Sequence, residues 1–318
     1  MKLSVIIPCL NAEATIATQL EALAGQHWSE PWEVIISDNG STDNSIAIAR
    51  RFTGRLPNLR IIDSSAKKGA SYYARNVGVQ ASTAEAIAFC DADDEVAPGW
   101  IARIGEALSH YDVVYGQMCF DKFNSPEQAE HLSRLWKDGL YREQFLPHGG
   151  GGNTGIKLSV HEAIGGFDES LPRFADADYY WRLQLEGYKL HYVPEAIYQY
   201  RLGRVNPSLL YLYRRGRTAV ASDYWLYKKY RPLGVKKEMV LPPHSSLMRS
   251  LITWLHLLKK MPYAYLRSSE TRSAWMRQFM MQTGNAVGQF QGRLTNPCKP
   301  YSSSEKSFRL DNMESIRH

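Results

Sequence analysis

Three carboxylates in four residues, Asp91-Ala92-Asp93-Asp94, are the densest chemical signal in the sequence. At that spacing like charges repel, so solvent or a divalent cation must offset them. Hard oxygen ligands suit magnesium or manganese, and such a cation can bridge a diphosphate. Two plainer readings compete. One is a solvated acidic turn. The other is a calcium loop, which needs Gly at its sixth position, where this chain has Val96. The position of the cluster, directly after the apolar run Ala86–Cys90, favours the metal. A second acidic pair, Asp176-Ala177-Asp178, opens a helix that carries Arg182. Acidic residues there commonly act as caps, worth about 0.5–2 kcal/mol. For Asp178 that reading stands level with any catalytic one. Arg75 and Asn76 lie on a helix after Gly69, and Tyr179, Tyr180 and Trp181 read as packing.

Three other motifs fail on inspection. His148-Gly149-Gly150-Gly151 has the look of an esterase oxyanion loop, but the chain holds no GxSxG elbow. Gly150 to Gly155 has P-loop spacing with Ile156 where Lys is required. No GxGxxG follows the first strand, which excludes the usual dinucleotide oxidoreductase. A nucleotide here would be held by carboxylates and metal rather than by a glycine cradle.

The elements that must position these groups alternate. Leu3–Ile7 is a β-branched run closed by Pro8, and Thr15 to Gln26 follows with apolar residues at helical spacing. The unit repeats through Glu33–Ser37, a helix over Ile46–Ala49, Leu59–Ile62, a helix over Ser71–Gln80 and Ala86–Cys90. That rhythm predicts an α/β fold with a mostly parallel sheet flanked by helices. Ligands in such sheets sit beyond the carboxyl ends of the strands. Asn11, Asp38 and the Asp91–Asp94 cluster all fall at those ends. From about Gly116 to Gly149 the rhythm lapses and a helical insertion is expected. Gly149–Gly152 then reads as a flexible hinge before a strand at Asn153–Lys157.

Charge divides the chain. Residues 1–200 carry 17 Lys and Arg against 26 Asp and Glu, whereas residues 201–318 carry 21 against 6. The organisation expected is a catalytic domain over 1–205, a basic helical extension over 206–300 and a polar, disordered tail over 301–318. In the extension Leu247, Met248, Leu251, Ile252, Leu255 and Leu258 form one apolar stripe, with Arg249, Ser250, Thr253 and Lys260 opposite. Such a stripe is more often a helix packed on its own domain than a membrane face, but Trp254 and Trp275 lie among basic residues, a mixture that suits an anionic membrane surface. No run reaches the roughly 18 apolar residues of a membrane span. The short first apolar run, cut by Pro8, Asn11 and Glu13, reads as a buried strand rather than a signal peptide. Four cysteines without CxxC spacing fit a reduced, cytoplasmic compartment. The basic residues follow no nucleic-acid module, so no nucleic-acid partner is expected.

Taken in order, seven segments resemble the inverting family-2 glycosyltransferases, which have the glycosyltransferase A fold. They are Ser4–Asn11, Glu33–Asp43, Ala74–Gly78, Phe89–Asp94, Gly165–Glu169, Asp176–Asp178 with Arg182, and Tyr198–Arg201. The resemblance implies a nucleotide-diphosphate sugar donor, a saccharide or lipid-linked acceptor, and Mn2+ or Mg2+. It also implies roles. Asp38 and Arg75 would contact the nucleoside base, with Pro8 through Asn11 lining that pocket. Asp91 would hold the ribose, Asp93 the metal, and Asp176 would deprotonate the acceptor hydroxyl. Ala175 stands where the family usually has Glu, and Gln199 near where many members have a metal-binding His. The processive branch's Gln-x-x-Arg-Trp signature is absent, so a single addition is expected. The rival readings are a sugar-phosphate nucleotidyltransferase, whose glycine-rich loop is missing from Cys9–Ala14, and a catalytically silent relative that senses a nucleotide.

Overall fold

The computed structural model describes residues 1–302 apart from 57, 143, 204–206, 242–246 and 267. The chain forms two compact units, Met1–Glu169 with Ala175–Arg204, and Ser170–Phe174 with Val205–His318.

In the first unit the strands β1 (Leu3–Cys9), β2 (Trp32–Asp38), β3 (Arg60–Asp63) and β4 (Ala86–Phe89) run parallel. Between them lie α1 (Ile16–Ala24), α2 (Ser45–Arg50) and α3 (Ser71–Ala81). β1, β2 and β4 are apolar on both faces, as strands covered by helices on each side must be. After β4 come β5 (Glu95–Val96), α4 (Trp100–His110) and β6 (Val113–Cys119). The stretch expected as a helical insertion holds the end of β6, the helix α5 (Pro126–Leu135), and a hairpin of β7 (Trp136–Lys137) and β8 (Leu140–Tyr141). Asp138 and Gly139 both take positive φ at its turn, the conformation a two-residue hairpin loop requires. The unit continues through β9 (Thr154–Lys157), α6 (Leu158–Ala163), α7 (Ala175–Leu185) and β10 (Leu190–Gln199).

The sheet order is β3-β2-β1-β4-β9-β6-β10-β5. β9 runs antiparallel to β4 and β6, and β5 to β10; every other pair is parallel. The chain reverses its direction of travel across the sheet between β1 and β4, which puts the ligand crevice at their carboxyl ends. The β1–β4 ladder stops at Ile6 opposite Phe89, while β1 stays paired with β2 as far as Cys9 opposite Asp38. Ile6 O accepts from Cys90 N and Cys9 O from Asn39 N, so by alternation the backbone of Pro8 faces the β4 side. Lacking an N–H, Pro8 cannot prolong that ladder. The sheet opens where the acidic cluster begins.

The second unit is built from α8 (Leu209–Tyr230), α9 (Leu247–Tyr265) and α10 (Ser269–Leu294). α8 and α10 meet backbone to backbone. A Cβ at Gly284 would lie 2.1 Å from Tyr213 O, and one at Gly288 would lie 2.2 Å from Arg217 O. α9 is held to α10 by its indoles. Trp275 Nε1 donates to Leu257 O at 2.8 Å and Trp254 Nε1 to Thr283 Oγ1 at 3.1 Å. Both tryptophans are therefore engaged between the helices, as the packing alternative for this region expects. Among the outward residues of α9 are Ile252 and Leu255, at 58% and 52% exposure. The stripe residues Leu247, Met248 and Leu251 lie outside the described side chains. Tyr301 N donates to Lys229 O and its ring stacks on Tyr230; the tail from 303 on lies outside the described residues.

Candidate active site

Two groups of side chains gather at the carboxyl ends of the central strands. The first laces the loop after β1 to the loop after β2. Asn11, at φ +49°, accepts from Thr42 N through Oδ1 at 2.8 Å, and its own N–H donates to Ser41 Oγ at 3.1 Å. Asp38 Oδ1 accepts from Ser41 N at 3.0 Å. Pro8, opposite Ser37, completes this wall. A short polar chain after a buried strand must satisfy its own backbone, and these Asn and Asp side chains do so.

The second group is organised around Arg75. Its place on α3 buries it, and its guanidinium makes an ion pair with Asp91. Burial works against the charge, but Asp91, Tyr72 and Asp176 outweigh it and hold Arg75 protonated. The resemblance implied a base-binding role shared with Asp38; the structure pairs Arg75 with Asp91. Asp91 N donates to Tyr198 Oη at 2.7 Å, which pins the start of the acidic turn to β10. Ligand oxygens of Asp91, Asp93 and Asp94 lie within 4.8 Å of one another. Asp94 is buried and accepts from Arg201 N at 2.6 Å. Burial, with the charges of Asp93 and Asp91, pushes its carboxyl well above the usual range. Arg201 Nε also donates to Asp93 O at 2.9 Å, so the Tyr198–Arg201 segment holds the turn at both Asp93 and Asp94.

The glycine run is a packed wall rather than a hinge. A Cβ at Gly151 would stand 2.8 Å from Arg75 Nη2, and one at Gly152 would stand 2.5 Å from Tyr198 Oη. Asn153, at φ +58° and buried, anchors its end. Its N–H donates to Phe89 O at 2.8 Å and its Oδ1 accepts from Trp100 Nε1 at 2.7 Å.

Asp176 lies half-buried in the first turn of α7. Tyr72 Oη donates to its Oδ1 at 3.2 Å, and Ala177 N donates to the same oxygen at 3.0 Å. The Tyr72 ring also lies 5.6 Å from Arg75 Cζ. Asp178 is different. It is fully buried, and its Oδ2 accepts from Arg182 Nε at 2.8 Å. Arg182 goes on to donate to Ile164 O and Gly166 O, so this pair fastens α7 to the turn after α6. The structure thus brings Arg75, Asp91, Asp93 and Asp94 together, links Asp176 to them through Tyr72, and sets Pro8, Asn11 and Asp38 in a wall at the ends of β1 and β2. Sequence reasoning passed over Tyr72. Its position, three residues before Arg75 on one helix face, was the available signal.

Residues 4–165, half of the chain, match the family model for glycosyl transferase family 2. The chain belongs to that family. It is 46% identical over 143 residues to the uncharacterized glycosyltransferase YibD of Escherichia coli, covering 44% of this chain and 41% of YibD. It is 29% identical over 201 residues to glycosyltransferase AglE of Haloferax volcanii, covering 61% of this chain and 65% of that one. The match thus spans less than two thirds of each relative. Among solved structures it resembles the mannosyltransferase PcManGT of Pyrobaculum calidifontis, in complex with GDP-Man and Mn2+. That likeness has a TM-score of 0.56 at 18% identity, over 92% of this chain and 86% of the other. It also resembles S. aureus TarS 1–349 in complex with UDP-GlcNAc, with a TM-score of 0.51 at 17% identity over 93% of both chains. These likenesses give the chain the glycosyltransferase A fold.

Proposed function

We propose that this chain is a non-processive, inverting glycosyltransferase that moves a sugar from a nucleotide-diphosphate donor to a hydroxyl of a saccharide or lipid-linked acceptor. The observation that carries the reading is the triad of carboxylates at the β4 end, with Asp176 tied to it through Tyr72 and Arg75. Pro8, Asn11 and Asp38 line the place of the nucleoside base, and Asp91 receives the ribose. The acceptor hydroxyl gives its proton to Asp176. Its oxygen attacks the anomeric carbon opposite the diphosphate, and the bonding pair of the broken bond leaves on the diphosphate oxygen. A positioned carboxylate base contributes about 10²–10⁴-fold.

The donor set fits a hard divalent cation, since it consists of carboxylate oxygens alone and holds like charges close together. Asp93, beside Asp91, would hold Mn2+ or Mg2+; bound there, it neutralises charge on the leaving diphosphate. The presence of Mn2+ in the PcManGT complex supports the same assignment. The test is a panel of nucleotide sugars, UDP-GlcNAc and GDP-Man among them, screened for thermal stabilisation with manganese and with chelator. Stabilisation by a sugar nucleotide only when metal is present supports the reading, and equal stabilisation in chelator removes the metal from it.

The exposed surface of the second unit supports a membrane-surface reading. Ile252, Leu255 and Leu266 are exposed, with Lys259 and Lys260 also exposed on or beside α9. No helix among the described residues is long and apolar enough to cross a membrane. We place this unit on the anionic inner face of a membrane, where a lipid-linked acceptor is presented. Vesicle cosedimentation that rises with anionic lipid and falls with salt tests it.

A further inference from the structure

Both hydrogen bonds made by the Asp176 carboxylate fall on Oδ1, one from the Tyr72 phenol and one from Ala177 N. Among the described residues, neither falls on Oδ2. The phenol is not a loose surface group. Its ring stacks on Phe167 at 5.7 Å, and the Phe167 backbone is gripped by Asn76 of the same helix. Asn76 Nδ2 donates to Phe167 O at 2.9 Å, and Asn76 Oδ1 accepts from Phe167 N at 3.0 Å. The guanidinium of Arg75 lies over both rings, 5.6 Å from Tyr72 and 5.8 Å from Phe167. α3 therefore presents three consecutive grips on one face. Asn76 fixes Phe167, Phe167 fixes the phenol, and the phenol fixes Asp176, while Arg75 between them holds Asp91.

We propose that Tyr72 is a positioning residue for glycosyl transfer, holding Oδ1 of Asp176 so that Oδ2 takes the acceptor proton. This rests on the assignment of Asp176 as base. The phenol stays a hydrogen-bond donor throughout and gives up no proton. The acceptor's proton passes to Oδ2, its oxygen forms the new bond to the anomeric carbon, and the pair from the broken bond leaves on the diphosphate. A carboxylate free to rotate presents either oxygen at any angle; one held at Oδ1 presents a single lone-pair direction. Because the same ring lies against Arg75, a shift of the Arg75–Asp91 pair moves the base, and the catalytic carboxylate is registered to the donor side of the site.

Tyr72→Phe keeps the ring on Phe167 and Arg75 and removes only the hydroxyl. With the sugar nucleotide that turns over in the donor panel, kcat falls by roughly 5–20-fold while the donor KM stays within about twofold. Asp176→Asn is measured beside it, and the double variant is no slower than Asp176→Asn alone. A crystal structure of Tyr72→Phe, which needs no donor, shows the carboxylate turned away from its present position. If Asp176→Asn is inactive while Tyr72→Phe keeps kcat and carboxylate position, the positioning role fails and the base stands. If Asp176→Asn keeps full turnover, both fail together. A fall in kcat with the Asp176 carboxylate unmoved in the variant structure reduces Tyr72 to packing and overturns the proposal.

Discussion

Asp178 Oδ2 accepts a hydrogen bond from Arg182 Nε, 2.8 Å away and one turn further along α7, with the carboxylate sealed from solvent. Two residues earlier on the same helix, Asp176 reaches the crevice instead. Asp178→Asn should therefore act on stability. Breaking a buried pair costs about 3–5 kcal/mol, because a charge is left without its partner. Asp176→Asn should leave the melting temperature within a few degrees and lower kcat by about 10²–10⁴-fold, with nucleotide affinity near wild type. Thermal melts and steady-state kinetics on the two variants separate the roles.

Metal dependence follows from the crowding of Asp91, Asp93 and Asp94. Asp93→Ala should abolish the manganese- or magnesium-dependent part of nucleotide binding, together with turnover. Isothermal titration with UDP or GDP, with and without metal, reads this directly. Full activity in excess chelator contradicts it.

Gly151 is tested by the smallest possible change. A methyl there would stand 2.8 Å from Arg75 Nη2, so Gly151→Ala must displace the guanidinium or the loop. The expected result is a loss in kcat/KM of about tenfold or more, against a stability loss of about 1–3 kcal/mol. Gly150→Ala is the control, because its nearest neighbour would be Met118 Sδ at 3.7 Å. Kinetics on the pair should differ clearly.

Acid stability should depend on His161. It is buried against Tyr179 Oη at 2.7 Å, and burial, helped by the Arg182 charge, pushes its pKa down to about 4. The folded form therefore disfavours protonation relative to an unfolded value near 6.5. Stability from this residue is complete above pH 6.5 and is lost as pH falls from there to about 4. The whole step is of order 3 kcal/mol. Urea melts across that window should flatten in His161→Phe, whatever that variant loses at neutral pH.

The outward face of α9 should decide membrane binding. Ile252→Glu with Leu255→Glu changes two exposed positions and so leaves the packing against α10 intact. It should remove cosedimentation with anionic vesicles. Wild-type binding by this variant, or equal wild-type binding to neutral vesicles, contradicts the surface assigned.

The first half of the fold was readable because each parallel strand is an apolar run ended by a polar turn, and each helix shows its own period. β10 left no such trace. Its ladder with β6 shifts register between Val193 and Tyr198, where Pro194 and the exposed Glu195 break the apolar pattern. β6 was masked by Gly116 and Gln117. At the site, carboxylates were legible because charge clusters after apolar strands are unusual. What they touch was not. The pairing of Arg75 with Asp91, 16 positions away, depends on α3 lying along β1 and on the sheet opening at Pro8. Tyr72 looked like any helical aromatic, since only the tertiary fold brings residue 176 to its hydroxyl.

The contact of Gly284 and Gly288 with the α8 backbone has a consequence for how this half of the chain can vary. The separation of α8 and α10 is set there by main-chain atoms, so no choice of larger side chain can be accommodated by a compensating smaller one opposite. A saturation scan should find these positions almost closed to substitution. The outward faces of the same helices carry no such restriction, and this scaffold can exchange its surface chemistry freely while its spine stays invariant.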